Sequence, residues 1–219
     1  MFPSLETECQ TSLGIHPSST RGKRFALQGS RAKRFALQGS RAKRFALQGS
    51  RFSVKSLTYQ VASYPPRLTR EEVDRTVAQA FLLWEEAADI SFTRVASGPA
   101  DIEVRFEAGE HGDGRPFDGA QGAWMRHHGG LGHAHPPHLG GAVHLDAEEV
   151  WRVDSSCGTS LLLATAHQVG HALGLASSTV PGAVMFPLFT SGGQVELAED
   201  DKRGIRELYG ERRSWGSGP

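Results

Sequence analysis

The chain has 219 residues, 38% of them hydrophobic and 22% charged, enough for one sizeable core with a tail attached. Lys plus Arg and Asp plus Glu each number 24, so the formal net charge is zero and nothing draws the whole chain to nucleic acid or an anionic membrane. No apolar run approaches the ~18 residues that span a bilayer.

The first ten residues, MFPSLETECQ, lack the basic start and apolar stretch of a signal peptide. Cys9 and Cys157 allow at most one disulfide and no framework; two free thiols fit equally well. Residues 21–50 are three tandem decapeptides, RGKRFALQGS and then RAKRFALQGS twice, differing only at Gly22, Ala32 and Ala42. No unit is long enough to bury a face, so residues 1–50 read as a disordered basic tail. Each unit sets Arg-x-Lys-Arg before Phe, the pattern cut by furin-type convertases, after Arg24, Arg34 or Arg44. A solvated basic tail duplicated in tandem would show the same run.

Ser56–Ser63 reads as a strand, rich in aromatic and β-branched residues. Thr69 opens a helix, since Thr69 and Glu72 fit a capping box. Val73, Val77, Phe81 and Trp84 follow at helical spacing and give it one buried face. Ser91–Val95 and Asp101–Phe106 read as strands, and residues 107–139 as a Gly-, His- and Pro-rich loop. Gly141–Leu145 is a further strand. A second helix begins near Thr159 or Ser160 and stops at Gly174, where glycine accepts the left-handed conformation. A third covers about Ala198–Tyr209. This order predicts an α+β domain over residues 51–210, with residues 211–219 as a short tail.

Nine of the ten histidines fall between His111 and His171, a crowding that signals metal binding. His167 and His171 are four residues apart on one helix, so both imidazoles project from the same face. The surrounding run, Ala166-His167-Gln168-Val169-Gly170-His171-Ala172-Leu173-Gly174-Leu175-Ala176-Ser177, resembles the metzincin pattern His-Glu-x-x-His-x-x-Gly-x-x-His, and Met185 stands where that pattern's turn methionine belongs. With Leu57-Thr58-Tyr59, Gly98–Ile102 and the closing Leu208-Tyr209-Gly210, the stretch 51–210 resembles the matrix metalloproteinases, or matrixins. The Lys-Arg-Phe-Ala start is most like the furin-activated, epilysin-like subgroup.

The resemblance implies a metzincin fold, with one twisted, mostly parallel sheet and about three helices. It implies a zinc endopeptidase of extracellular matrix and secreted proteins, with His167, His171 and position 177 holding the catalytic zinc. In the family the residue after the first histidine is a glutamate that takes a proton from the zinc-bound water. Here it is Gln168, which cannot, and loss of a positioned base costs ~10²–10⁴-fold in rate. The third ligand position is Ser177, a poor zinc donor.

The resemblance also implies a structural zinc on His111, Asp113, His144 and either His133 or His127, with His133 favoured. It implies calcium on Asp118, Gly119, Asp146 and Glu149; the family's second calcium site would use Asp101, whose loop partners near residues 138–142 match the family poorly. Leu131–Ala134 resembles the edge strand on which matrixins lay their substrate. His127, His128, His135 and His138 are otherwise solvated loop residues. By the same resemblance a freed Phe45 ammonium would pair with Asp200 or Asp201.

Three functional readings follow: a weakened zinc endopeptidase, a pseudoprotease that binds peptides or inhibitors, and a decayed gene product. The expected partners are a peptide or protein substrate or inhibitor and a furin-type convertase. No nucleic acid and no membrane span are expected, the chain is read as a monomer, and location follows the family as secreted.

Overall fold

A computed structural model describes residues 47–117, 130–153, 158–187 and 194–212. Arg24, Arg34, Arg44, Phe45, Asp118, Gly119, His127, His128 and both cysteines lie outside them.

Alternating buried side chains create the first strand, β1 (Ser56–Val61), in which Leu57 and Tyr59 face the core. Helix α1 (Arg70–Ala87) starts where the capping pattern places it: the Thr69 hydroxyl accepts from the Glu72 amide, and the Glu72 carboxylate accepts from the Thr69 amide. Its Val73, Val77, Phe81 and Trp84 are buried as a stripe, and Phe81 stacks on Tyr59 at 4.1 Å.

The strands β2 (Ser91–Arg94), β3 (Ile102–Glu107), β4 (Gly132–Ala134) and β5 (Val143–Asp146) join β1 in one sheet, in the order β2-β1-β3-β5-β4. All pairs are parallel except β4 with β5. The expected mostly parallel sheet is therefore present, with its one antiparallel strand at the edge. A two-stranded parallel sheet that the sequence reading lacked, β6 (Trp151–Arg152) with β7 (Thr159–Ser160), leads into the second helix.

Helix α2 (Leu161–Ala172) is capped by Ser160, whose hydroxyl accepts from the Leu163 amide. Gly174 follows with φ +106°, and a Cβ there would meet the Ser50 carbonyl oxygen at 2.1 Å. Both the turn and the neighbouring chain thus require glycine. Helix α3 (Glu199–Tyr209) closes the domain. Its Tyr209 hydroxyl donates to Leu173 O and accepts from Phe52 N, so one buried phenol joins the end of α2 to the entering chain. Among the described residues, three α-helices and a mixed, mostly parallel sheet make this the α+β metzincin arrangement.

Residues 47–50, which the sequence groups with the tail, lie against the domain. Leu47 bridges Leu175, and the Gln48 amide donates to Gly174 O at 2.9 Å. The described residues contain no helix long and apolar enough to cross a membrane.

Candidate metal centres

Four side chains from three separate stretches converge beside the sheet edge. His133 lies on β4 and His144 opposite it on β5, in register. His111 and Asp113 come from the loop after β3. One ligand-type atom from each lies within 4.8 Å of all the others. His133 Nε2 is 3.4 Å from His111 Nε2, 3.2 Å from His144 Nδ1 and 2.6 Å from Asp113 Oδ2.

His111 Nδ1 lies 2.9 Å from the Gly109 carbonyl, which can only accept, so Nδ1 donates there and Nε2 is the nitrogen that faces the centre. Burial pushes His133 down to about 4 and lowers His144, so both rings stay neutral at ordinary pH. Burial alone would push the Asp113 carboxyl up; the Arg115 amide and His133 outweigh it and hold the group well below the usual carboxylate range. Three imidazoles and one carboxylate, with donor atoms about a zinc coordination edge apart, fit a closed tetrahedral zinc site.

His135, expected from the sequence as a solvated loop residue, lies beside this group. Its Nε2 lies 3.8 Å from Asp113 Oδ2 and its ring 5.5 Å from that of His144. The signal was available: residues 133 and 135 share one face of an extended chain. His138 remains at the periphery, 2.9 Å from Ser50 Oγ.

The second group is on α2. His167 Nε2 and His171 Nε2 stand 3.0 Å apart. Each ring is turned by a carbonyl on its far side: His167 Nδ1 donates to Val184 O at 2.7 Å and His171 Nδ1 to Leu175 O at 2.8 Å. This arrangement fixes both tautomers and aims two lone pairs at one point. The Gln48 carboxamide lies 3.2 Å from the same His171 Nδ1. Burial, then the neighbouring His171, pushes His167 down to about 4; burial also lowers His171.

Met185 is buried beneath the pair, so close to α2 that a Cβ on Gly170 would lie 2.3 Å from its sulfur. The Asp201 carboxylate holds that turn by accepting from the amides of Val184, Met185 and Ala198. Asp200 accepts from Ser178 Oγ at 2.6 Å.

The described residues bring two imidazoles together here, where a catalytic zinc ordinarily keeps three protein ligands. Ser177 is exposed, and among the described residues no other His, Cys, Asp or Glu joins the pair in a metal-type group. Gln168 is buried; its Nε2 donates to Gly132 O on β4 at 2.9 Å, and its Oε1 is buried without a hydrogen-bond partner among the described residues.

Of the implied calcium positions, Asp146 and Glu149 are buried carboxylates that accept from the amides of Glu148 and Val150. Asp101, at the position of the family's second calcium site, accepts from both the amide and the hydroxyl of Thr58.

Comparison with known proteins bears on the same stretch. The Matrixin peptidase family matches residues 51–210. The chain belongs to the matrixin family. It is 42% identical over 159 residues to human (Homo sapiens) neutrophil collagenase, covering 71% of this chain and 32% of that protein. It is 42% identical over 156 residues to interstitial collagenase of Oryctolagus cuniculus, covering 70% and 32%. It is 42% identical over 162 residues to human matrix metalloproteinase-20, covering 72% and 32%. The chain thus spans about a third of the length of these matrixins.

Proposed function

We propose that this matrixin domain is a zinc-metalloendopeptidase relative with an impaired catalytic centre, one that binds peptides along β4 and cleaves them slowly or not at all. The observation that carries this reading is Gln168. It occupies the general-base position, cannot accept a proton, and spends its amide N–H on the Gly132 carbonyl of the edge strand. The exposed Ser177 at the third ligand position supports it.

His111, Asp113, His133 and His144 would hold a structural zinc, which cross-links the loop after β3 to the β4–β5 edge. His167 and His171 would hold a second ion only weakly, and the chemistry such an ion supplies is polarisation of a carbonyl and acidification of a water. The buried carboxylates of Asp146 and Glu149 support the calcium reading, with Asp118 and Gly119 as the remaining positions. Following the family, the domain acts outside the cell, as a monomer, after a furin-type convertase cuts at Arg24, Arg34 or Arg44. The Lys-Arg-Phe-Ala start supports the furin-activated, epilysin-like subgroup.

The test is zinc stoichiometry together with cleavage of a fluorogenic peptide by the purified chain. One zinc and no cleavage, with retained peptide or hydroxamate-free inhibitor binding, supports the pseudoprotease form of the reading. Two zincs with rapid cleavage that a hydroxamate blocks would overturn it.

A further inference from the structure

His135 belongs to neither donor set described above, yet its ring stands at the rim of the first. Its backbone extends the β4 edge: the His135 amide donates to Ala142 O at 2.8 Å, so its Cα is fixed beside β5. Residues 133 and 135 share one face of the extended chain. The His135 ring lies 6.2 Å from that of His133 and 5.5 Å from that of His144. Its Nε2 is 3.8 Å from Asp113 Oδ2, the oxygen that His133 Nε2 and His144 Nδ1 approach at 2.6 and 3.1 Å. The four donors of the centre lie within 4.8 Å of one another, and His135 is outside that set. Exposure separates the rings too: the side chains of His111, His133 and His144 are 4%, 9% and 11% exposed, and that of His135 is 23% exposed.

A closed four-ligand zinc site keeps no open position through which an ion is traded. Exchange then needs an arriving donor, and an imidazole tethered to the chain is present at a high effective concentration. Two donors each ~2.1 Å from one zinc ion stand at most about 4.2 Å apart, so the 3.8 Å between His135 Nε2 and Asp113 Oδ2 lets these two atoms share an ion without backbone movement. We propose that His135 is the exchange ligand of this centre: with Asp113 it takes an incoming zinc ion at the rim, hands it to His111, His133 and His144, and takes it back on release. Each handover replaces one donor–zinc bond by another, with no change of oxidation state. His135 is not a resident ligand, so it sets how fast zinc enters and leaves and not how tightly zinc is held. The inference rests on the structural-zinc reading given above, and the experiment separates the two.

The full chain is loaded with zinc and mixed with a chromogenic chelator; release is timed and extrapolated to zero chelator, and Kd is taken from competition at equilibrium. The same measurement on His171→Ala, which disables the His167–His171 pair, assigns the phase that belongs to the four-donor centre. His135→Ala should slow that phase about tenfold and leave Kd unchanged, so that entry slows by the same factor. Added imidazole should restore the rate in this variant. His138→Ala removes a ring that lies at Ser50 Oγ instead and should change neither quantity. An unaltered release rate in His135→Ala would overturn the proposal, as would an equal slowing in His138→Ala. Faster release with a weakened Kd would overturn it too, since that marks a resident ligand or a group that merely orients the ligands, whose loss costs ~10–100-fold in affinity. If the chain holds no zinc at this centre, the structural-zinc reading falls and the inference with it; zinc held with unaltered exchange defeats the inference alone.

Discussion

Gln168 donates its side-chain amide to the Gly132 carbonyl at 2.9 Å, so the residue at the general-base position of α2 is tied to the edge strand of the sheet. A glutamate there would set a carboxylate against that carbonyl and would have to turn away from it. Under the proposed reading, glutamine at this position forgoes a base and gains an inter-element hydrogen bond, the net worth of which is about 1 kcal/mol.

Repair of the centre should need both missing groups. Gln168→Glu alone restores a base beside a two-ligand site and should leave peptide cleavage near background. Gln168→Glu with Ser177→His should raise kcat/KM by ~10²–10⁴-fold, the usual contribution of a positioned base. A double variant that binds the second zinc and still fails to cleave would show that the impairment lies elsewhere.

Zinc at the His111–Asp113–His133–His144 group should stabilise the fold. Metal at a thousandfold excess over its Kd contributes about 4 kcal/mol, which for a domain of this size moves Tm by roughly 10 °C. Chelation, or Asp113→Ala, should lower Tm by that order, and zinc should rescue the chelated chain but not the variant. Thermal unfolding unchanged by chelation would show that no ion contributes there.

Stability should fall with acid in two stages. His133 and His167 are held at about 4 in the folded chain against 6.5 for an exposed imidazole. Between those values the unfolded chain binds protons that the folded chain refuses, so the unfolding free energy rises with pH across the window and is lost as pH falls through it. Asp113, held below its ordinary value, acts in the same direction further down: its contribution is complete above 3.8 and disappears as pH falls. Urea titrations at pH 7.5, 5.5 and 4.5 should give steadily lower midpoints, and a flat profile would contradict the burial of these rings.

Gly170→Ala should be destabilising although alanine is the better helix former. The added Cβ would lie 2.3 Å from Met185 Sδ and 2.8 Å from Trp84 Cζ2, both on buried side chains. Overpacking of this kind costs about 1–3 kcal/mol, a Tm loss of several degrees. An unchanged or raised Tm would mean that the turn carrying Met185 can move away from α2 at little cost.

The sequence by itself determined what depends on local spacing. The α1 stripe from Val73 to Trp84, the Thr69–Glu72 cap, the shared face of His167 and His171, and the stop at Gly174 all follow from one helical repeat and need no partner. That Gln168 and Ser177 stand where the resembling pattern has glutamate and histidine is legible for the same reason, since the run is contiguous. Only the tertiary structure decided what depends on pairing across the chain. The parallel register of β3 with β5 and the antiparallel register of β4 with β5 bring His133 and His144 face to face, and bring His135 up to Asp113. No periodicity in residues 107–139 encodes that register, because it is set by which strands share a sheet. The contacts of residues 47–50 are likewise invisible in a repeat whose three copies end alike: they depend on Gly174, which leaves room for the Ser50 carbonyl, and on Arg51, which reaches Leu208 O.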